Sequence, residues 1–141
     1  MHRPTDKRAI IRLLKEHGIH PTPQRVEIAQ VLFEGARHVS ADQVLNEVLR
    51  RGGMVSKATV YNTLGLFAKK GLIREVIVDP TRVFYDPNAK EHYHFYNEDT
   101  GELQDIDPEA LSLGELPPVP PGTLPAGVDV IIRLRNAPKR A

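Results

Sequence analysis

Between Ser40 and Gly71 the chain encodes two helices in quick succession, each with its own start and stop signal, and this pattern constrains the fold more than any other. Ser40-Ala41-Asp42-Gln43 has the form of a capping box, in which serine and glutamine side chains satisfy each other's backbone N–H groups. Behind it Val44, Leu45, Val48 and Leu49 recur at helical spacing, and Gly52-Gly53 stops the run. Ser56-Lys57-Ala58-Thr59 opens the next helix, with Val60, Leu64 and Phe67 as its apolar face and Gly71 at its end. Two helices joined by a short glycine-containing turn predict a helix-turn-helix.

The flanks complete a winged version of that unit. A first helix starts at Thr5 or Asp6, places Ile10, Leu13 and Leu14 on one face and ends at Gly18. Thr22-Pro23 sets a capping hydroxyl before a proline at the first helical position, where its missing N–H costs nothing. Val26, Ala29 and Phe33, with Ile28 and Leu32 beside them, carry that second helix to about Gly35. Downstream, Ile73 to Val78 and Arg82 to Tyr85 are strand-forming runs joined by Asp79-Pro80-Thr81, a hairpin suited to a wing.

A second lobe follows. Tyr93 to Tyr96 and Glu102 to Ile106 predict two strands linked by a polar turn at Asn97 to Gly101. Leu116 to Pro125 is proline-rich and reads as an extended connector, with a proline-recognition peptide as the alternative. Val128 to Leu134 predicts a further strand, followed by a basic tail through Lys139 and Arg140. The expected class is α/β (α+β): an N-terminal winged helix-turn-helix over residues 1–86 and a small α+β domain over residues 87–141.

Charge separates the two halves. Residues 1–85 carry 14 Lys/Arg against 8 Asp/Glu, whereas residues 86–141 carry 5 against 10. A basic front half suits a polyanion, although two differently charged solvated surfaces give the same count. The chain has no cysteine, which excludes disulfides, thiolate zinc, iron–sulfur clusters and a cysteine nucleophile. Any metal must sit on nitrogen and oxygen. The start, Met1 to Ile11, is too polar for a secretory segment, and no apolar run approaches the roughly 20 residues that cross a bilayer. A cytoplasmic protein with no membrane partner is expected.

A recognition helix shows short polar groups to the major groove near its start, while longer basic groups hold phosphates. Here Ser56, Lys57, Thr59, Tyr61 and Asn62 lie opposite the apolar stripe, and Lys15 and Arg25 are candidates for clamping the flanking backbone. Asn62 can pair with adenine, Thr59 can meet a thymine methyl, and Tyr61 can stack on bases or donate to phosphate. An ordinary polar helix face would carry similar residues. His92 and His94 stand two apart on an expected strand, so both rings leave one face. His38, Asp86 and Asp105 are the further candidates, and three imidazoles with two carboxylates suit iron, manganese or zinc. Taken singly, these histidines fit surface or satisfied core positions equally well.

Thr22-Pro23-Gln24-Arg25, His38-Val39-Ser40-Ala41, Ala58-Thr59-Val60-Tyr61-Asn62-Thr63-Leu64, Gly71-Leu72-Ile73 and His92-Tyr93-His94-Phe95 stand in the order and spacing of the ferric uptake regulator family. The resemblance covers about residues 5 to 106. It implies a metal-responsive repressor that binds palindromic double-stranded DNA operators as a homodimer and is not an enzyme. The helix carrying Thr59, Tyr61 and Asn62 would enter the major groove, with Lys15 and Arg25 near phosphate and the minor groove. The positions matching the regulatory metal of peroxide-sensing members are His38, Asp86, His92, His94 and Asp105. The implied ion is Fe2+ or Mn2+ in the cell, with Zn2+ an alternative occupant on purification, held between the DNA-binding lobe and a dimerisation and metal-sensing lobe.

The chain also departs from that family. Asn97-Glu98-Asp99-Thr100 stands where most members have a Cys-x-x-Cys pair, so no cysteine structural zinc is expected. Pro117-Pro118-Val119-Pro120-Pro121 replaces much of the last helix, and the run from Val128 to Arg135 ends the fold. These features resemble the iron response regulator (Irr) branch, which is associated with haem-dependent control of iron and haem genes. That branch often has three consecutive histidines where this chain has His92-Tyr93-His94, and some members have an N-terminal haem-binding cysteine motif absent here. A second regulatory site would be incomplete, because Tyr93 is a poor ligand. The alternatives are a haem-responsive iron regulator, a non-haem iron enzyme built on a facial triad, and a metal-independent DNA-binding or assembly protein.

Overall fold

The computed structural model describes residues 6–35, 38–79, 81–87 and 93–139. The chain forms two compact units, Met1–Ala89 and Lys90–Ala141.

The first unit is helical with a hairpin: α1 (Lys7–Glu16), α2 (Pro23–Glu34), α3 (Ala41–Arg50), α4 (Lys57–Lys69), β1 (Arg74–Asp79) and β2 (Arg82–Asp86). Thr5 lies outside the described residues. Asp6 takes the cap position of α1 with extended backbone, but its side chain makes no capping hydrogen bond. Gly18 ends that helix at φ +72°, a conformation that lets the Ile19 N–H return to the Leu14 carbonyl at 2.9 Å. Thr22 Oγ1 accepts from the Arg25 N–H at 3.3 Å, and Pro23 follows it. The Ser40 capping box forms in full, with Gln43 N–H to Ser40 Oγ at 3.2 Å and Ser40 N–H to Gln43 Oε1 at 2.8 Å.

α2 is the central helix and buries Val26, Ile28, Ala29, Val31, Leu32 and Phe33. Against it pack Ile10 and Leu14 of α1, Val44 and Val48 of α3, and Val60, Leu64 and Phe67 of α4, all fully buried. Each such side chain contributes about 1.5–3 kcal/mol by leaving water. Leu49 differs from the expectation: it is 48% exposed. The buried stripe of α3 is Ala41, Val44 and Val48, and the next residue lies about 100° further round the helix. β1 and β2 pair antiparallel from Arg74↔Asp86 to Ile77↔Val83, with an irregularity before Asp79. Residue Val39 then bridges to Tyr85, its N–H donating at 3.2 Å and its carbonyl accepting at 2.7 Å.

The second unit is a three-stranded sheet of order β4-β3-β5, made by β3 (Tyr93–Asn97), β4 (Leu103–Ile106) and β5 (Ile131–Leu134). β3 and β4 pair antiparallel across the polar turn, where Asn97 Oδ1 accepts from the N–H groups of Asp99 (2.9 Å) and Thr100 (3.0 Å). The last strand is shorter than expected. It begins at Ile131, pairs parallel to β3, and leaves Val130 to lend its carbonyl to the His94 N–H at 3.0 Å. A parallel pair needs a long return, which residues 107–130 supply. Among the described residues of this unit the helical part is a single 3-10 turn at Pro108–Ala110, because prolines and glycines interrupt the rest of that return. Leu113, Leu116, Val119, Leu124 and Ile132 remain exposed.

Candidate metal centre and nucleic-acid interface

Two imidazole–carboxylate pairs stand out, one in each unit, and backbone pairing sets both. In the first unit the Val39–Tyr85 bridge is antiparallel, so residue 38 lies opposite residue 86. His38 Nε2 accordingly comes within 3.4 Å of Asp86 Oδ2, with side chains 9% and 3% exposed. In the second unit His94 and Asp105 are register partners on β3 and β4, and opposite residues of an antiparallel pair project from the same face. His94 Nε2 lies 3.1 Å from Asp105 Oδ1. His94 is buried and Asp105 half-buried. His92 precedes β3 and lies outside the described residues.

Burying a polar group costs free energy unless it gains a partner. In each buried pair a nitrogen ligand atom stands beside an oxygen ligand atom, the types that borderline and hard divalent ions accept. The donor chemistry fits such an ion, and no thiolate is required. Tyr85, next to Asp86, has its phenol pushed above its usual range by burial and by the nearby Glu75 carboxylate.

The expected DNA surface is the exposed start of α4. Ser56 caps the helix, its Oγ accepting from the Thr59 N–H at 3.1 Å and donating to Thr59 Oγ1 at 2.9 Å, so these two hydroxyls are partly committed to each other. Lys57, Tyr61 and Asn62 are exposed, opposite the buried Val60, Leu64 and Phe67. Lys57 Nζ stands 5.7 Å from the Tyr61 ring centroid. Lys15 is exposed in the last turn of α1, and Arg25 donates from Nη1 to the His20 carbonyl at 2.9 Å. One neighbour escaped the sequence reading as a surface residue. Asp42 of α3 accepts from the Tyr61 hydroxyl at 3.4 Å and lies 3.7 Å from Lys57 Nζ. Its only sequence signal was membership of the capping box.

A helix-turn-helix with a two-stranded wing, followed by a small sheet that carries a buried histidine, defines a winged-helix protein with an appended nitrogen–oxygen donor unit. The ferric uptake regulator family model matches residues 16–113, and the chain belongs to that family. It is 33% identical over 96 residues to the peroxide operon regulator of Bacillus subtilis (strain 168), covering 68% of this chain and 66% of that protein. It is 30% identical over 96 residues to the peroxide-responsive repressor of Staphylococcus epidermidis, covering 68% and 64%. The chain thus spans just under two thirds of the length of these relatives. The solved ferric uptake regulator of Vibrio cholerae superposes with a TM-score of 0.70 at 18% identity, covering 89% of this chain and 98% of that one. That of Pseudomonas aeruginosa gives 0.67 at 24%, covering 87% and 94%. At these identities the structural likeness carries the fold alone.

Proposed function

We propose that this protein is a metal-responsive, DNA-binding transcriptional repressor that acts as a homodimer on palindromic operators. The observation that carries the reading is the pair of imidazole–carboxylate couples, His38–Asp86 and His94–Asp105, one in each compact unit. With His92 they are the residues that match the family's regulatory ligand set. The winged helix of residues 1–86 would read DNA through Ser56, Lys57, Thr59, Tyr61 and Asn62, with Lys15 and Arg25 on the backbone. Residues 87–141 would dimerise and sense metal.

A divalent ion taking donors from both units would supply coordination energy that favours one arrangement of the units. That energy shifts an equilibrium only by the difference in affinity between its two states. His38 and Asp86 hold the donors of the first unit through the Val39–Tyr85 bridge, and His94 and Asp105 hold those of the second through the β3–β4 register. Iron or manganese is the favoured ion, with zinc as a competitor. Solved relatives from Pseudomonas aeruginosa and Francisella tularensis carry manganese and iron, and a manganese uptake regulator carries zinc.

Support for dimerisation comes from the second unit, whose exposed Leu113, Leu116, Val119, Leu124 and Ile132 suit burial against a second copy. No described helix is long and apolar enough to cross a membrane, and the proposed site of action is the cytoplasm. Similarity to a peroxide operon regulator and a peroxide-responsive repressor supports a second reading, a repressor that responds to peroxide.

The test is a titration of the purified protein with Mn2+, anaerobic Fe2+ and haem, paired with DNA selection from a random-sequence duplex pool with and without chelator. Selective, metal-dependent binding supports the reading. Haem binding without metal dependence favours the haem-responsive regulator on the same scaffold, and selective binding that survives chelation favours a metal-independent regulator.

A further inference from the structure

The α4 surface proposed to face DNA carries an anion on its rim, and that placement has a chemical consequence. Asp42 lies at the second position of α3, yet its Oδ1 reaches both the Tyr61 hydroxyl (3.4 Å) and Lys57 Nζ (3.7 Å) at the start of α4. Lys57 in turn stands 5.7 Å from the Tyr61 ring centroid, so the three side chains close a triangle across two helices. The ion pair is open to water, with side chains 62% and 65% exposed, and pairs of that kind contribute little to folding. Both contacts are also long, so either can be exchanged for a better partner at small cost.

A phosphate that approaches Lys57 meets the Asp42 carboxylate within the same few ångströms, well inside the screening length of about 8–10 Å in physiological salt. Sequence-independent DNA binding depends on the number of phosphates that Lys and Arg neutralise. Asp42 therefore subtracts from that term, while the same carboxylate anchors the hydroxyl of Tyr61, a side chain proposed to meet bases.

Resting on the DNA-binding reading above, we infer that Asp42 is a specificity-determining residue. It withholds the charge of Lys57 from indiscriminate phosphate contact and orients Tyr61. Lys57 is released to phosphate where Tyr61 and Asn62 find their bases and the gain offsets the lost pair.

The experiment compares the full-length Mn2+-loaded protein with Asp42→Asn, which keeps an acceptor for Tyr61 but removes the charge, and with Asp42→Ala, which removes both. The probes are the duplex that the unaltered protein selects from a random-sequence pool and a scrambled version of it, each titrated by fluorescence anisotropy over a range of KCl. Asp42→Asn should bind the scrambled duplex about three- to tenfold more tightly, with the slope of log K against log salt steeper by roughly one unit per protomer. It should tighten the selected duplex by no more than about twofold, because there the exposed Lys57 pair already opens at small cost and the neutral side chain still accepts from Tyr61. Asp42→Ala should show the same gain on the scrambled duplex and also lose about fivefold or more on the selected one.

A salt slope and a selected-to-scrambled ratio equal to those of the unaltered protein would refute the role, provided circular dichroism shows both variants folded. If the unaltered protein prefers no duplex, the DNA-binding reading fails and this inference fails with it. If it selects a duplex and both variants select equally well, only the role of Asp42 is overturned.

Discussion

His94 faces Asp105 across the β3–β4 ladder, with Nε2 3.1 Å from Oδ1 and the imidazole buried. The strand pairing itself therefore holds a nitrogen and an oxygen donor together, without a loop whose conformation would have to be ordered first. If this couple supplies two ligands, His94→Ala should weaken Mn2+ binding by at least tenfold or so, the lower bound for disturbing even a supporting partner of a metal ligand. Isothermal titration of the folded variant measures it, and an unchanged affinity would remove His94 from the site.

Asp86 tests whether the first unit serves the same ion. Asp86→Asn should weaken Mn2+ binding by a similar factor, and the double variant Asp86→Asn/His94→Ala should lose less than the two single losses multiplied together. Residues that ligate one ion are strongly coupled, whereas those of independent sites add. Fully multiplicative losses would mean two separate ions.

For the proposed DNA surface, Tyr61→Ala and Asn62→Ala should each cost about 1–3 kcal/mol on the selected duplex and much less on a scrambled one. Lys15→Ala should weaken both duplexes alike and reduce the salt slope by about one unit per protomer. Anisotropy titrations distinguish the two behaviours. Equal losses on both duplexes for Asn62→Ala would reassign it from base reading to backbone contact.

On the outer face of α3, Glu47 accepts hydrogen bonds from Arg50 (2.5 and 2.9 Å) and Arg51 (3.0 Å), and Arg51 also reaches Glu34 of α2 at 2.6 Å. These hydrogen bonds, foremost that of Arg50, lower the Glu47 carboxyl from 4.5 to about 2. A folded-state value below the unfolded one means a stabilisation that is complete above about pH 4.5 and is lost as pH falls toward 2. Glu47→Gln should therefore melt slightly lower than the unaltered protein at pH 7, with the two melting curves converging as pH approaches 2. A constant difference down to pH 2 would show that the carboxylate's charge plays no part.

Much of the first unit was legible in the sequence, because a helix boundary is decided within about four residues. The hydroxyls of Thr22, Ser40 and Ser56 cap the helices they precede, and Gly18 and Gly71 end theirs, each in a left-handed conformation. The metal candidates were legible as residue types, and His92 stays a sequence expectation because it lies outside the described residues. Three relationships needed the tertiary structure. His38 meets Asp86 because a single bridge joins Val39 to Tyr85, residues far apart in sequence, and no local propensity encodes that register. The parallel pairing of β5 with β3 is equally remote, chosen across a return with almost no regular structure. Leu49 and Asp42 sit on one helix whose existence the sequence announced, but which side of α3 is buried, and which residue of α4 its start approaches, depended on how the helices pack. Local hydrogen bonding determined the elements of this protein, and long-range pairing and packing decided which chemical groups meet.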